Sequence, residues 1–209
     1  MHKLSTLLFG GLLSVSTHAW ELVSNSDGVE AFTMKSNETG FNKVRVVSTF
    51  PASLETLVAV NTDAANLSDW METFEQVDVL SKTNWHDYVL HARYGFPFPY
   101  DDRESITHTT FHRSNEQIVL SFKSVESEIA PYKDTVRMPF VEGSWTFIPK
   151  SPTETEVIYE THVVPGGNSP AWLVNMVSVD VPVKTIHNLK NYLKTYQAAA
   201  VAITDIPAI

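Results

Sequence analysis

The sequence predicts an α+β domain in which one curved antiparallel β-sheet packs against a long C-terminal α-helix. Three observations support this prediction. Segments with the two-residue alternation of strands follow one another from residue 74 to residue 163, separated by short turns. Two further strand-like segments precede them, and one long segment with helical spacing follows. Because consecutive strands joined by short turns pair antiparallel, we expect one meandering sheet.

The first predicted elements are two strands and a short helix. Residues 29–34 and 41–50 alternate in the manner of strands and are joined by a polar turn. Ser53 stands where a helix N-cap is expected, directly before apolar residues at helical spacing. We therefore predict a short helix after Ser53, followed by a loop that contains Trp70.

The central part of the chain is predicted to be almost entirely strand. Proline, asparagine and serine residues punctuate the alternating segments and mark the turns between them. Pro139 falls inside one segment, which indicates a bulge or an edge position that bends the sheet. The predicted strands cover residues 74–80, 87–94, 103–111, 117–126, 136–148 and 155–163.

The last predicted element is a helix from residue 171 to residue 197, which follows a turn rich in glycine and proline. Pro182 should kink or break this helix near Val179. The tail at residues 198–209 is expected to be loosely held. Beyond the proline, one face of the helix should be buried, and its residues are Ile186, Leu189, Leu193 and Tyr196.

Residues 1–19 have the pattern of a cleaved signal peptide. A short positive region precedes an apolar run at residues 4–16, and Thr17 and Ala19 supply small residues at −3 and −1. A buried first helix is the alternative, but the run is apolar on all sides and stops at a cleavage-like site. We therefore predict cleavage after Ala19, a periplasmic or secreted location, and one domain over residues 20–209.

The composition limits the possible partners and chemistry. The chain has 24 acidic and 15 basic residues, for a formal net charge of −9, so its surface repels nucleic acids and anionic lipid headgroups. It has no cysteine, which excludes thiol nucleophiles and thiolate metal ligands. An exported chain without disulfides must depend on its hydrophobic core for stability.

One long helix cannot fill the concave side of so wide a sheet. Either large side chains fill that space or it stays open as a ligand cavity. Strand positions on the side opposite to solvated residues such as Lys123 and Glu160 should face it, although ordinary core packing is the alternative for each. These positions are Tyr88, Leu90, Thr107, Leu120, Phe122, Ser124, Trp145, Phe147, Tyr159 and Thr161. Trp70, Trp172 and Met176 complete the predicted apolar set.

Two arginines at strand starts are candidates for a polar contact. The guanidinium groups of Arg103 and Arg137 could cap an anionic or polar headgroup, because their geometry suits phosphate and carboxylate. The alternative is that each pairs with a nearby carboxylate, such as Glu126 or Asp102. An unpaired buried arginine would be costly, so one of the two must hold.

Short motifs along the chain carry a resemblance to a known family. They are DGV (27–29), FPAS (50–53), FPFPYDDRE (96–104), VR (136–137), GSW (143–145), IP (148–149), SPAWLVN (169–175) and IHNLKNYL (186–193), with Trp70 after the short helix. In this order, over residues 20–197, they resemble the START (StAR-related lipid-transfer) domains, particularly their exported bacterial branch.

The resemblance implies a helix-grip fold, in which the curved sheet wraps the C-terminal helix and a tunnel between them holds one lipid. Most members of the family are carriers or sensors, whereas related helix-grip proteins include polyketide aromatases and cyclases. Many sterol-binding members place an acidic residue and an arginine opposite each other in the tunnel. These sites fall near Leu90, His91 and Thr109 here, so the ion pair is missing and a sterol ligand is disfavoured.

Other sequence patterns give no sign of catalysis or metal binding. His108 and His112 would lie about 13 Å apart on a strand, too far to share a zinc ion. No GxSxG motif is present, and the adjacent Asp101 and Asp102 fall in a loop where solvation or capping is expected.

We therefore predict a monomeric, non-catalytic protein that binds and carries one hydrophobic lipid, without cofactor or metal. Access to the tunnel should require motion of the loop at residues 97–102 or of the helix start at residues 170–172, with transient membrane contact. An enzyme of the cyclase, aromatase or hydrolase type acting in the same cavity is the alternative. A packed domain that serves protein interactions is a third possibility.

Overall fold

The computed structural model describes residues 19–209, except for the side chains of residues 171, 172, 175 and 176. The predicted signal peptide therefore lies outside the described residues, apart from Ala19. The described strands are β1 (Glu21–Ser26), β2 (Val29–Lys35), β3 (Asn42–Phe50), β4 (Phe74–Asn84), β5 (Asp87–Tyr94), β6 (Asp102–Ser114), β7 (Gln117–Ser124), β8 (Thr135–Arg137), β9 (Phe140–Ser151) and β10 (Glu154–Val164). The helices are α1 (Leu54–Thr62) and α2 (Ala171–Tyr192), with 3₁₀ turns at Ala64–Asp69 and Ile203–Asp205.

The strands form one sheet in the order β1-β2-β3-β10-β9-β7-β6-β5-β4, and each neighbouring pair is antiparallel. This confirms the predicted fold class. The prediction missed β1, whose residues are mostly exposed. It also joined β8 and β9 into one strand. Pro139 separates them, and β8 leaves the main order to pair parallel with the start of β6.

Helix α1 begins where the sequence predicts. The Ser53 hydroxyl accepts a hydrogen bond from the Thr56 amide at 3.3 Å, which satisfies one of the amides that have no partner within the first helical turn. Leu57 and Val58 are fully buried. Burial of this face fixes the helix against the inner side of the sheet and closes one end of the fold.

Helix α2 runs without a break across Pro182 and ends at Tyr192, five residues earlier than predicted. The helix is therefore not broken at the proline, whereas the kink that was predicted as the other possibility stays a prediction. Ile186 and Leu189 are fully buried, and Leu193 and Tyr196 pack partly buried against the core, which confirms the predicted buried face. The helix lies over β2 and β3 and leaves the other side of the concave sheet uncovered.

The C-terminal tail is docked, contrary to the prediction. The Arg113 amide donates to the Pro207 carbonyl at 2.7 Å, and the Ile209 amide donates to the Arg113 carbonyl at 3.1 Å. Ile206 is 1 % exposed and belongs to the hydrophobic core. Burial of this one apolar side chain, together with backbone pairing at the end of β6, offsets the conformational entropy of an otherwise irregular segment.

No helix among residues 19–209 is long and apolar enough to cross a membrane.

Candidate ligand-binding cavity

A cavity of about 580 Å³ lies between the concave face of the sheet and helix α2. Its walls come from strands β3, β4, β5, β6, β7, β9 and β10, from the loop before β4 and from the side of α2. The cavity volume falls within the range of about 300–1,000 Å³ that is usual for small-molecule sites. Most of the wall surface is apolar, because the inward positions of these strands carry mainly leucine, valine and aromatic side chains.

Stacked aromatic rings form one end of the cavity. The Trp145 ring stacks on the Tyr159 ring with centroids 4.1 Å apart, and the Trp70 ring meets Trp145 edge-on at 5.7 Å. Trp145 and Tyr159 line the cavity, while Trp70 and Phe147 are buried behind them. Aromatic contacts of these two geometries are favourable beyond simple area burial, so this end should be rigid.

Gly143 makes room for another aromatic wall residue. A Cβ atom at this position would lie 2.2 Å from the Glu160 carbonyl oxygen and 2.4 Å from the Phe122 ring. The Phe122 ring therefore occupies the place where a side chain would otherwise project from β9. Phe122 lines the cavity as a result, and the glycine of the GSW motif has a packing reason.

Tyrosine hydroxyls on the wall are held by protein partners. Tyr88 donates to the Asn61 carbonyl at 3.3 Å, and the Tyr94 hydroxyl lies 2.8 Å from the Ser105 hydroxyl. Burial raises the pKa of Tyr94 to about 12, and it also raises the pKa of Tyr88 and of Tyr159. These phenols therefore stay protonated and uncharged at neutral pH.

Arg103 joins two loops that border the cavity. Its Nε donates to the Pro165 carbonyl at 2.8 Å, and its terminal nitrogens donate to Ser169 Oγ and to the carbonyls of Asp101, Asp102 and Gly166. All of the guanidinium N–H groups are thereby satisfied. We call this set of contacts the Arg103 clasp. It joins the loop before β6 to the loop before α2.

Two further features support the clasp. The Phe96 ring lies under the guanidinium carbon of Arg103 at 4.2 Å, and Arg103 is 3 % exposed. Gly166 and Gly167 have φ angles of +65° and +63°, which glycine adopts without strain and which turn the loop toward the guanidinium. Burial lowers the pKa of Arg103, although an arginine remains charged throughout the physiological range.

The border of the cavity also carries an exposed apolar tip. Phe98 is 96 % exposed in the loop between β5 and β6, beside Phe96 and Pro97, which line the cavity. Phe98 therefore adds a fully exposed apolar side chain to the border of the cavity.

The predicted site residues differ in where the structure places them. Trp70 and Phe147 lie behind the cavity wall, Ser124 Oγ accepts from the Val141 amide at 3.2 Å, and Arg137 is on the outer face. The side chains of Trp172 and Met176 lie outside the described residues. The remaining nine line the cavity, and their contact with a ligand stays a prediction: Tyr88, Leu90, Arg103, Thr107, Leu120, Phe122, Trp145, Tyr159 and Thr161.

Arg137 pairs with a carboxylate, but with neither of the two that the sequence suggested. Its Nε lies 2.6 Å from Glu104 Oε1, and Glu104 also meets His91 Nε2 at 2.7 Å and accepts from the Tyr132 amide at 2.8 Å. Glu104 is fully buried. These contacts outweigh desolvation and hold the pKa of Glu104 below its ordinary value. We call these four residues the Glu104 cluster.

The carboxylate alternative therefore holds for Arg137, but Arg103 forms no ion pair among the described residues. The Asp102 carboxylate is engaged by Arg93 at 2.5 Å and by the Phe96 amide at 3.0 Å. Arg103 takes backbone oxygens and one serine hydroxyl instead. In this conformation it has no N–H group left for a headgroup.

Sequence reasoning missed several wall residues. Thr109 and Tyr94 share the strand parity of Thr107 and Tyr88, so alternation alone could have found them. Met138 and Val174 lie in a loop and at the start of a helix, where parity gives no signal. Within residues 19–209 no three histidine, aspartate or glutamate side chains are close enough to hold a metal ion.

Comparison with known proteins agrees with this geometry. Residues 50–190 match the family model described as polyketide cyclase/dehydrase and lipid transport. An uncharacterised protein of Pseudomonas aeruginosa is 26 % identical over 192 residues, which is 91 % of this chain and 95 % of that protein.

Solved structures show the same fold. A STAR-related lipid transfer protein from Xanthomonas axonopodis has a TM-score of 0.77 at 24 % identity, covering 84 % of this chain and 99 % of its own. Human STARD10 has a TM-score of 0.76 at 18 % identity, covering 91 % and 84 %. An aromatase/cyclase from Streptomyces gives 0.52 at 13 % identity, covering 71 % and 88 %. The predicted START-like fold is thus confirmed, and the chain belongs to the polyketide cyclase/dehydrase and lipid transport family.

Proposed function

We propose that this protein binds one hydrophobic lipid molecule in the cavity and carries it without changing it. The observation that supports this most directly is the cavity itself, with about 580 Å³ of space behind apolar and aromatic walls. Removing a lipid's apolar surface from water contributes roughly 25 cal/mol per Å², which is enough to hold such a molecule without covalent chemistry.

The buried tyrosines on the inner wall support a carrier role over an enzymatic one. The tyrosines nearest the aromatic end are held protonated by burial, and the pKa of Tyr88 and of Tyr159 moves away from neutrality. A general acid or base works best when its pKa lies near the operating pH. These phenols are therefore suited to packing and hydrogen bonding, and less suited to proton transfer.

A cavity-filling variant tests the proposal. Leu90→Trp projects from β5 into the cavity and should reduce binding of the neutral dye Nile red at least tenfold, while the protein remains folded. Val89→Trp is the matched control, since Val89 is the neighbouring residue on the outer face of β5 and should bind dye normally. Equal dye binding by Leu90→Trp and the wild type would exclude the cavity as the site.

Native mass spectrometry addresses the enzymatic alternative. Protein purified gently from its own compartment should carry one lipid per chain, and incubation should leave the mass of the lipid unchanged. Release of a ligand with altered mass would instead support an enzyme in the same cavity. Recovery of protein with no bound lipid under any gentle condition would contradict the carrier proposal.

We further propose that the loop with Phe98 makes transient contact with a membrane while the lipid exchanges. Phe98 is almost fully exposed beside the mouth, and the acidic chain favours uncharged lipid surfaces over anionic ones. Phe98→Ala should slow transfer of a fluorescent lipid between phosphatidylcholine vesicles several-fold. Leu22→Ala, an exposed apolar residue on edge strand β1, is the control that should have no effect.

Export from the cytoplasm is part of the same proposal and rests on the pattern of residues 1–19. N-terminal sequencing of the protein from its natural source should give Trp20 as the first residue. An intact Met1 would contradict the periplasmic or secreted location.

A further inference from the structure

Two buried threonines on β6 face the cavity and lack protein partners. Thr107 is 6 % exposed and Thr109 is 3 % exposed, and both line the cavity. Neither hydroxyl forms a hydrogen bond with any residue in the part of the chain that the structure describes. A threonine hydroxyl can donate one hydrogen bond and accept two, so two adjacent positions offer unused capacity in an apolar wall.

The two residues are mostly buried, but their hydroxyl oxygens are open to the cavity. Most buried polar side chains in proteins have at least one partner within the protein, so hydroxyls that face a cavity without one are available to the contents of that cavity. Valine has nearly the shape of threonine and a high preference for strands, so packing alone would favour it here. The two hydroxyls therefore indicate a role toward another molecule in the cavity.

The position of the pair fixes where a ligand's polar group would lie. Thr109 pairs across the sheet with Tyr88 on one side and Phe122 on the other, and Thr107 pairs with Leu90. The stacked rings of Trp145 and Tyr159 lie further along the strands in one direction, and the Arg103 clasp lies in the other. A ligand that reaches the threonines therefore places a hydrogen-bonding group in the middle of the cavity, with apolar parts beyond it.

Charge on the cavity wall is confined to its rim. Glu72 pairs with Lys184 at 3.8 Å, and Asp180 is exposed. Glu75 and Asp102 both pair with Arg93, at 3.2 Å and 2.5 Å. Arg103 is the charged wall residue that is buried, and its N–H groups all donate hydrogen bonds within the Arg103 clasp. No described cation therefore faces the two threonines, and an ionised headgroup at their level would be buried without a counter-ion, which is strongly unfavourable.

We propose that Thr107 and Thr109 select an uncharged lipid whose hydroxyl or carbonyl group hydrogen-bonds to them inside the cavity. This inference rests on the proposed function and names the chemical class of its ligand. A carboxylate or phosphate of an anionic lipid is excluded from this depth, whereas a neutral alcohol, ester or ketone is accepted.

Matched twelve-carbon probes test the proposal in the full-length mature protein. Displacement of bound Nile red is measured with 1-dodecanol, with dodecane and with dodecanoate at pH 8. The alcohol should displace the dye at concentrations at least tenfold below those needed for the carboxylate. The double variant Thr107→Val/Thr109→Val should bind the alcohol roughly tenfold more weakly, since each hydrogen bond contributes about two- to tenfold, and should bind dodecane as the wild type does.

Two controls separate this effect from misfolding. Thr110→Val makes the same chemical change on the outer face of β6 and should leave all three affinities unchanged. Thr109→Ser keeps the hydroxyl and, as a single variant, should retain preference for the alcohol. Circular dichroism and the thermal midpoint show whether each variant is folded.

The outcomes distinguish failure of this inference from failure of the proposed function. If Nile red does not bind to the wild type, both fail. If Nile red binds but the valine variant keeps the full preference for dodecanol over dodecane, the cavity is a hydrophobic site and the threonines do not select its ligand. Tighter binding of dodecanoate than of dodecanol would likewise overturn the inference alone.

Discussion

The two faces of strand β6 satisfy their buried polar side chains in opposite ways. On the outer face, Glu104 is fully buried and meets His91, Arg137 and the Tyr132 amide at 2.6–2.8 Å. On the inner face, Thr107 and Thr109 are also buried, yet their hydroxyls have no partner among residues 19–209. The buried carboxylate of the outer face thus finds its partners within the protein, although one nitrogen of Arg137 there has none, while the two hydroxyls of the inner face are open to the cavity.

Arg103 stands at the end of the same strand and shows a third arrangement. It points to the inner side, but loops that come from distant parts of the chain supply its acceptors. Its hydrogen bonds connect two segments that border the cavity. Under the proposed function, the three positions would serve stability, access and recognition respectively.

Removing the buried carboxylate from the outer face of β6 should have the largest effect on stability. Glu104→Ala removes three hydrogen bonds and leaves the buried His91 and the half-buried Arg137 without their carboxylate partner, so the free energy of unfolding should fall by about 3–5 kcal/mol. The measurement is equilibrium unfolding in urea. Glu126→Gln, on the exposed segment that follows β7, is the control and should change stability by less than about 0.5 kcal/mol.

Equilibrium unfolding of a variant on the inner face of β6 tests the contrast between the two faces. Thr109→Val removes a hydroxyl that has no described partner, so stability of the ligand-free protein should be unchanged or slightly higher. A loss comparable to that of Glu104→Ala would show that the threonine hydroxyl is bonded within the protein, and the contrast between the two faces would disappear.

Loosening the Arg103 clasp should change exchange more than stability. Ser169→Ala removes one acceptor from Arg103 in a surface loop, so release of bound Nile red should accelerate roughly two- to tenfold while the thermal midpoint stays nearly constant. Ser127→Ala, which removes a local hydrogen bond to the Ile129 amide on the outer side, is the control. Equal release rates for all three proteins would remove the clasp from the path of the lipid.

Strand alternation predicted which side chains lie on the inner face of the sheet, but it did not predict the contacts of Arg103 or of Glu104. Parity placed Thr107, Leu120 and Trp145 on the inner face, because side-chain direction in a strand follows directly from position. The acceptors of Arg103 are backbone carbonyls, which have no residue type to identify them in a sequence. The family resemblance supplied the helix-grip topology that parity alone does not give.

The Glu104 cluster was unpredictable for a different reason. It depends on the parallel pairing of β8 with β6, in which Glu104 lies opposite Arg137. That pairing arises because Pro139 ends one strand and lets the chain change direction, whereas the sequence indicated a single strand across the proline. Likewise, one apolar residue, Ile206, docks a tail whose composition resembles an unattached segment.

The pH dependence of stability should show the smallest effect and should belong to the outer face. Burial and the nearby Lys43 lower the pKa of His162, and paired donors lower the pKa of Glu104. In both cases the folded state binds a proton less readily than the unfolded state, so stability is lost as pH falls. The loss attributable to His162 begins below about pH 6.5, and that of Glu104 begins below about pH 4.5.

Urea unfolding at a series of pH values from 8 to 3 separates these two contributions. His162→Gln should flatten the dependence of stability on pH in the upper part of this range, and Glu104→Gln should flatten it in the lower part. The Glu104→Gln variant should also be less stable than the wild type at every pH. Thr109→Val should leave the shape of the profile unchanged, because the inner wall near it contains no group that titrates in this range. A profile altered by the threonine variant as much as by Glu104→Gln would mean that the two faces of β6 are electrostatically coupled, and the division of roles between them would not hold.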